Sequence, residues 1–162
     1  MIIRARTTAD LPACVAALRA VHEADGYPAV WPHDPAHWLT PSKLIEAHVA
    51  DIDGTVTGHV GIGAGAVPTA VRNALPGNDF ASVIRLFVSP VGRGHGVGRR
   101  LLDAAVTMAE TRGLRAVLDV EAGAAAAIAL YERGGWKCVH SGPGDWITFD
   151  GREALLRYYV SP

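Results

Sequence analysis

Lysine and cysteine are both scarce in this chain: Lys43 and Lys137 are the only lysines, and Cys14 and Cys138 the only cysteines. Each thiol sits among apolar neighbours, which predicts two reduced core residues in a cytoplasmic protein; a single bridge between them stays open. Charge of one sign is missing as well. Arginines supply nearly all the cations and acids balance them to a formal net charge of −1, so nothing favours bulk attraction to nucleic acid or an anionic membrane. No apolar run is long enough to cross a bilayer, and Met1-Ile2-Ile3-Arg4 passes at once into polar residues, unlike a signal peptide. With 162 residues, 49% of them hydrophobic, the chain can bury one good core, and one domain over 1–162 is expected.

What the chain has in excess is glycine, concentrated in Val91-Gly92-Arg93-Gly94-His95-Gly96-Val97-Gly98-Arg99-Arg100. Residues 82–88 predict a buried strand and 101–112 an amphipathic helix, so these glycines occupy a strand-to-helix turn. Free N–H groups and the positive end of the dipole suit such a helix start to an anion, usually phosphate. Glycines permit positive φ and close backbone approach. A P-loop would need Lys-Ser or Lys-Thr where Arg99-Arg100 stands. A dinucleotide fingerprint would need a sixth-position glycine, but Val97 or Arg99 falls there. Arg93-x-x-Gly96-x-Gly98, preceded by Leu86-Phe87-Val88-Ser89-Pro90, remains; a purely architectural turn is the plainer alternative.

Elsewhere, residues 2–6 predict a strand. Thr8 or Asp10 can cap a helix with Pro12 in its first turn, and Leu11, Val15, Leu18 and Val21 recur at helical spacing until Asp25-Gly26. Residues 27–39 form an ordered loop without period, holding three prolines and three large aromatics. Thr40-Pro41 predicts a short second helix to about Ala47. Strands over 48–52 and 56–64 meet at Asp53-Gly54, a hairpin signal. Residues 67–79 read as a surface connection. After the central strand and helix, Gly113 is a stop and 116–120 another buried strand. A helix over 124–133 ends at Gly134 in the left-handed capping place. Residues 136–141 are a strand interrupted by Gly142-Pro143-Gly144; 146–149 and about 154–160 complete the set around Asp150-Gly151. The order βααβββαβαββ excludes a doubly wound sheet and gives an α/β chain, an α+β mixed sheet with helices on both faces.

The strand, proline, R-G-x-G-x-G-R and Leu-Leu helix together resemble the pyrophosphate-binding motif of the GNAT superfamily, the acyl-CoA-dependent N-acyltransferases. A second segment, Ala127-Ile128-Ala129-Leu130-Tyr131-Glu132-Arg133-Gly134-Gly135-Trp136, is similar to the family's A-x-x-L-Y-x-x-x-G-F, with Trp for Phe. Tyr131 alone could equally pack its helix on the sheet. The resemblance implies a GNAT-like fold: a mostly antiparallel central sheet, splayed between its fourth and fifth strands to admit acyl-CoA. It implies pantetheine on the backbone of Leu86, Phe87 and Val88, with an N–H near Val88 polarising the thioester. Arg93, Gly94, His95, Gly96, Val97, Gly98 and Arg99 would hold the pyrophosphate. Tyr131 would protonate the departing thiolate.

Two family positions differ. Ala124 replaces a frequent Asn, and Ser82 stands where many relatives place a glutamate base. Glu121 and Asp79 are the nearest acidic candidates for that base, either able to act through a water, and Glu121 is the one expected to be catalytic with Tyr131; each is also readable as a solvated strand-end carboxylate. Tyr27, Trp31, Trp38 and Trp146 are expected to wall the acceptor site. His33 and His37 sit four apart but lack a third ligand, so no metal is expected; His59 reads as a satisfied sheet residue. The implied activity is acetyl transfer from acetyl-CoA to a primary amine by direct attack in a ternary complex. A small-molecule acceptor is expected over a protein, and a homodimer through the last strands is open. The alternative is a catalytically weak or inactive acyl-CoA-binding sensor or interaction module on the same fold.

Overall fold

The Asp53-Gly54 turn builds the first half of the sheet. Both residues adopt positive φ (51° and 83°), as a two-residue hairpin matched to strand twist requires. They join β2 (Leu44–Ile52) to β3 (Thr55–Gly63), while β1 (Ile2–Ala5) pairs with β2 and β4 (Phe80–Val88) with β3, all antiparallel. In the computed structural model, which describes residues 1–148 and 150–162, β5 (Arg115–Glu121), β6 (Lys137–Ile147) and β7 (Glu153–Val160) complete one sheet in the order β1-β2-β3-β4-β5-β7-β6. Among the described residues only β4 and β5 run parallel. Among the described residues no helix is long and apolar enough to cross a membrane.

Side-chain alternation assigns the helices to two faces. Val49 and Phe87 pack with Cys14, Leu18 and Val21 of α1 (Leu11–Asp25) and with Trp38 of the one-turn α2 (Pro35–Trp38). The neighbouring Ala50 and Val60 point the other way, onto Val97, Leu101, Leu102, Ala105 and Met108 of α4 (Val97–Glu110) and Ile128 and Tyr131 of α5 (Ala125–Arg133). Each fully buried leucine there contributes on the order of 2 kcal/mol. Val71 of α3 (Thr69–Ala74) packs on Val117 and Val160, on the same face as α1.

Several local expectations are corrected. No helix forms over 40–47; the second helix is α2, where the Asp34 carboxylate accepts the His37 N–H (3.0 Å) and Pro35 opens the turn, and β2 already starts at Leu44. The 67–79 connection contains α3, because Val71 is apolar enough to be fully buried. At the end of α5 the left-handed residue is Gly135 (φ 80°), since the Gly134 N–H still bonds back to Leu130 and Tyr131. Gly142-Pro143-Gly144 does not interrupt β6: Gly142 and Pro143 pair with Leu156 and Leu155, and the register shift comes after them, between Pro143 and Ile147. β6 is an outer strand, where proline needs no ladder donor. For the same reason Cys138, expected in the core, is exposed; both thiols are free. Asp10 is the N-cap residue of α1, as expected, but its side chain makes no cap bond to that helix; it serves the preceding 3-10 turn, headed by Thr7, whose N–H and hydroxyl both donate to Asp10 (2.7 and 3.0 Å). α4 begins at Val97, so half of the glycine motif is its first turn. Phe149, the expected end of a strand, lies outside the described residues.

Candidate active site

Parallel pairing of β4 with β5 lasts only three residues, Phe80 with Arg115, Ala81 with Ala116 and Ser82 with Val117. Beyond Ser82 the strands part, and residues 83–88 have a ladder partner only on the β3 side. Backbone polar groups left open along a strand edge demand partners. The gap is a cleft of about 510 Å³, walled by Val83, Arg85, Leu86, Phe87 and Val88 on one side and by Leu118, Asp119, Val120 and Glu121 on the other. Tyr131 and Ala127 of α5 close one end. Tyr27 and Trp146 reach in from the loop after α1 and from β6.

The glycine turn stands beside β4. Gly94 (φ 75°) and Gly96 (φ 73°) are left-handed, and a Cβ on either would meet no atom within 4 Å, so their backbone lines open space. Gly96 caps α4 with no side-chain hydrogen bond to the helix start, leaving the first N–H groups free for an anion. Gly98 is small for packing: a Cβ there would lie 3.1 Å from Leu130 Cδ2. The flanking cations are engaged elsewhere. Arg93 pairs with Asp25, Arg99 with Asp103 (2.9 Å) and with the Arg133 carbonyl, and His95 Nδ1 donates to the Arg93 carbonyl (2.8 Å). The donors this turn leaves unengaged are therefore mainly its backbone N–H groups.

β4 carries an extra residue where it faces the cleft. Between the pairs His59 with Phe87 and Gly61 with Ile84, β3 has one residue and β4 two, and Arg85 takes φ 54°. The bulge is clamped from β3. His59, fully buried, donates from Nδ1 to the Arg85 carbonyl (2.8 Å) and accepts at Nε2 from Arg6 (3.0 Å), which also donates to the Leu39 carbonyl (2.7 Å). That arrangement needs neutral imidazole, and burial first, then the two arginines, push its pKa down to about 4. His59 is thus the satisfied sheet residue expected. In the unfolded chain the imidazole protonates near pH ~6.5, so between there and about 4 the unfolded state binds more protons and the folded state loses stability as pH falls. A full shift of this size corresponds to on the order of 3 kcal/mol. Urea denaturation is expected to show the parent losing more stability than His59→Gln between pH ~7 and pH ~4.5. A parent–variant difference constant with pH would contradict this.

Of the acids foreseen, Glu121 lines the cleft, but its Oε2 accepts the Gly123 N–H (2.7 Å) in the turn before α5. Asp79 lies at the opposite end of β4, where its carbonyl accepts the Arg115 N–H, and Ser82 belongs to the paired stretch. The acid the sequence reading passed over is Asp119, set in the cleft wall on β5. Water reaches it, yet the crowding walls raise its carboxyl pKa, an effect only partly offset by backbone hydrogen bonding and Lys43. Tyr131, with 9% of its surface exposed, has its phenol pushed up to about 12 by burial, then by Tyr27 and Asp119. Two of the four acceptor aromatics, Tyr27 and Trp146, line the cleft. Trp38 sits behind them beneath Arg85, and Trp31 is turned onto α1 against His22 and Arg19. Ala124 lines the cleft without offering a polar group. His33 and His37 lie outside it, and among the described residues no cluster of three or more His, Cys, Asp or Glu could hold a metal.

A sheet opened between its two parallel neighbours, with a glycine turn and helix start following β4, is the architecture expected of acyl-CoA-dependent transferases. Residues 15–136 match the model of the Acetyltransferase (GNAT) family, and the chain belongs to that family. An "IAA acetyltransferase" of Azospirillum brasilense is 35% identical over 128 residues, covering 75% of this chain and 76% of that protein. Among solved structures, the ribosomal-protein-alanine N-acetyltransferase of Brucella melitensis superposes with a TM-score of 0.74 at 27% identity, covering 99% of each chain. A putative acetyltransferase of Salmonella typhimurium, solved with its cofactor acetyl-CoA, gives 0.71 at 24% identity, covering 98% of this chain and 91% of that one. The protein is an acetyltransferase by family.

Proposed function

We propose that residues 1–162 form one N-acetyltransferase unit that moves an acetyl group from acetyl-CoA to the primary amine of a small molecule, by direct attack in a ternary complex. The observation that carries this reading is the unpaired edge of β4 opposite Asp119 and Tyr131 in one cleft. The open backbone of Leu86, Phe87 and Val88 would pair with the pantetheine amides, and an N–H near Val88 would polarise the thioester carbonyl. Backbone of the 93–99 turn would hold the pyrophosphate. Acetyl-CoA supplies the activated acyl group when bound.

Asp119 takes the role first assigned to Glu121. Its raised pKa makes it a better proton acceptor than an ordinary surface carboxylate, whereas the Glu121 carboxylate is already engaged with Gly123. As the amine nitrogen bonds to the acyl carbon and the C–S bond breaks, the amine proton passes to Asp119 and the Tyr131 proton to the leaving sulfur. Burial favours neutral phenol, so Tyr131 enters the reaction protonated.

Calorimetric titration with acetyl-CoA tests the donor side. The parent is expected to bind in the micromolar range and Gly96→Glu at least about tenfold more weakly, because a carboxylate would project into the anion's space over a backbone that favours glycine. Equal binding by both would remove the turn from the site. Tight binding without acetylation of any amine would instead favour the sensor reading.

A further inference from the structure

Arg85 is an unexpected occupant of the acceptor side. Its Nε donates to the Trp38 carbonyl (3.0 Å) and its guanidinium carbon lies 3.7 Å over the Trp38 ring, so its plane is fixed from behind. Both terminal nitrogens have no hydrogen-bond partner among the described residues. Neither Arg85 nor Asp119 forms an ion pair among them, although both line the same cleft. Tyr27 stands between their fields: burial raises its hydroxyl pKa, Arg85 pulls it down and Asp119 pushes it up, which places both charges within electrostatic range of one phenol. The bulge that brings Arg85 here is itself clamped by His59.

A half-buried cation with a fixed plane and two free amino groups is a receptor for a planar oxyanion, which it binds by two parallel hydrogen bonds. An opposed, unpaired carboxylate complements an ammonium or the amine derived from it. Resting on the reading of this cleft as an amine acetylation site, we propose that the acceptor is a small zwitterion of the free amino-acid kind. Its carboxylate seats on the Arg85 guanidinium and its amine faces Asp119. Tyr27 and Trp146 supply apolar walls for the remainder. A peptide N-terminus does not fit this charge pattern, because the group beside its amine is a neutral amide.

The test compares thiol release with L-phenylalanine, its amide and phenethylamine, three amines of similar bulk of which only the first bears a carboxylate. The parent is expected to favour the free acid by at least about tenfold in kcat/KM over both others, since a site built for a polar group rejects analogues that lack it. Arg85→Asn retains a residue tolerant of positive φ and is expected to bring that ratio to within about twofold of unity, with the loss carried by KM; Arg85→Lys should keep part of the preference. Acetylation of the amide or the amine as efficiently as the acid, or a preference that survives in Arg85→Asn, would overturn the proposal. Thiol release with none of the three, by a parent that binds acetyl-CoA, overturns this acceptor class and leaves the donor site standing. Failure to bind acetyl-CoA removes the acetylation reading, and the zwitterion proposal with it.

Discussion

Tyr131→Phe is expected to lower kcat for acetyl transfer by about 10²- to 10³-fold while acetyl-CoA affinity stays close to that of the parent. The ring does the packing: its centroid lies 6.3 Å from that of Trp136 and 5.9 Å from that of Tyr159, contacts that phenylalanine keeps. α5 is held independently by the Tyr159 hydroxyl, which donates to Glu132 (2.9 Å). Only the phenolic proton is lost. With its pKa pushed up to about 12, that proton is present throughout the working range, so Tyr131 should produce no descending limb in kcat between pH ~6 and ~10. A bare phenol is a poor donor to a thiolate whose acid is near pKa ~8.5, and the transfer works only as the C–S bond breaks. A variant within threefold of the parent in single-turnover thiol release would reduce Tyr131 to a packing residue.

How far the site could be read beforehand follows from which facts are local. The glycine turn was legible because its requirement is carried by single residues: Gly94 and Gly96 need positive φ, and a helix follows at once. The hairpin at Asp53-Gly54 was legible for the same reason. The cleft's chemistry was not, because it depends on where two strands stop pairing. Asp119 reads in sequence as one more residue of a buried strand; it becomes a cleft residue only because β4 leaves β5 after Ser82. Arg85 was hidden by the bulge, an extra residue that no alternation pattern announces. The signal that could have raised both is a charged side chain within an otherwise apolar strand, Ile84-Arg85-Leu86 and Leu118-Asp119-Val120. Of the dense aromatic loop over 27–39 Tyr27 lines the cleft, but composition could not tell Tyr27 from Trp31, whose indole stacks under Arg19 on α1.

Asp119→Asn is expected to cost about 10²-fold in kcat/KM and to change the shape of the pH profile. The carboxyl, though open to water on one side, is raised chiefly by desolvation from the cleft walls, so it stays protonated, and useless as a base, to a higher pH than an ordinary aspartate. Activity should therefore climb as pH passes the raised pKa, in addition to the climb set by the acceptor's own amine. In Asp119→Asn the first component is absent and only the amine's titration remains. The asparagine is nearly isosteric and keeps the same strand pairing, with residue 119 opposite Tyr158 of β7, so a general collapse of the cleft is not the expected outcome. Glu121→Gln is the comparison that gives the result meaning. Its carboxylate holds the Gly123 N–H in the turn before α5, and an amide oxygen can accept the same bond, so its effect should be severalfold at most and without change in the profile. Were Glu121→Gln to lose the rate and the limb while Asp119→Asn kept both, the proton would leave through the end of β5, and the charge opposite Arg85 would serve to hold the acceptor without deprotonating it.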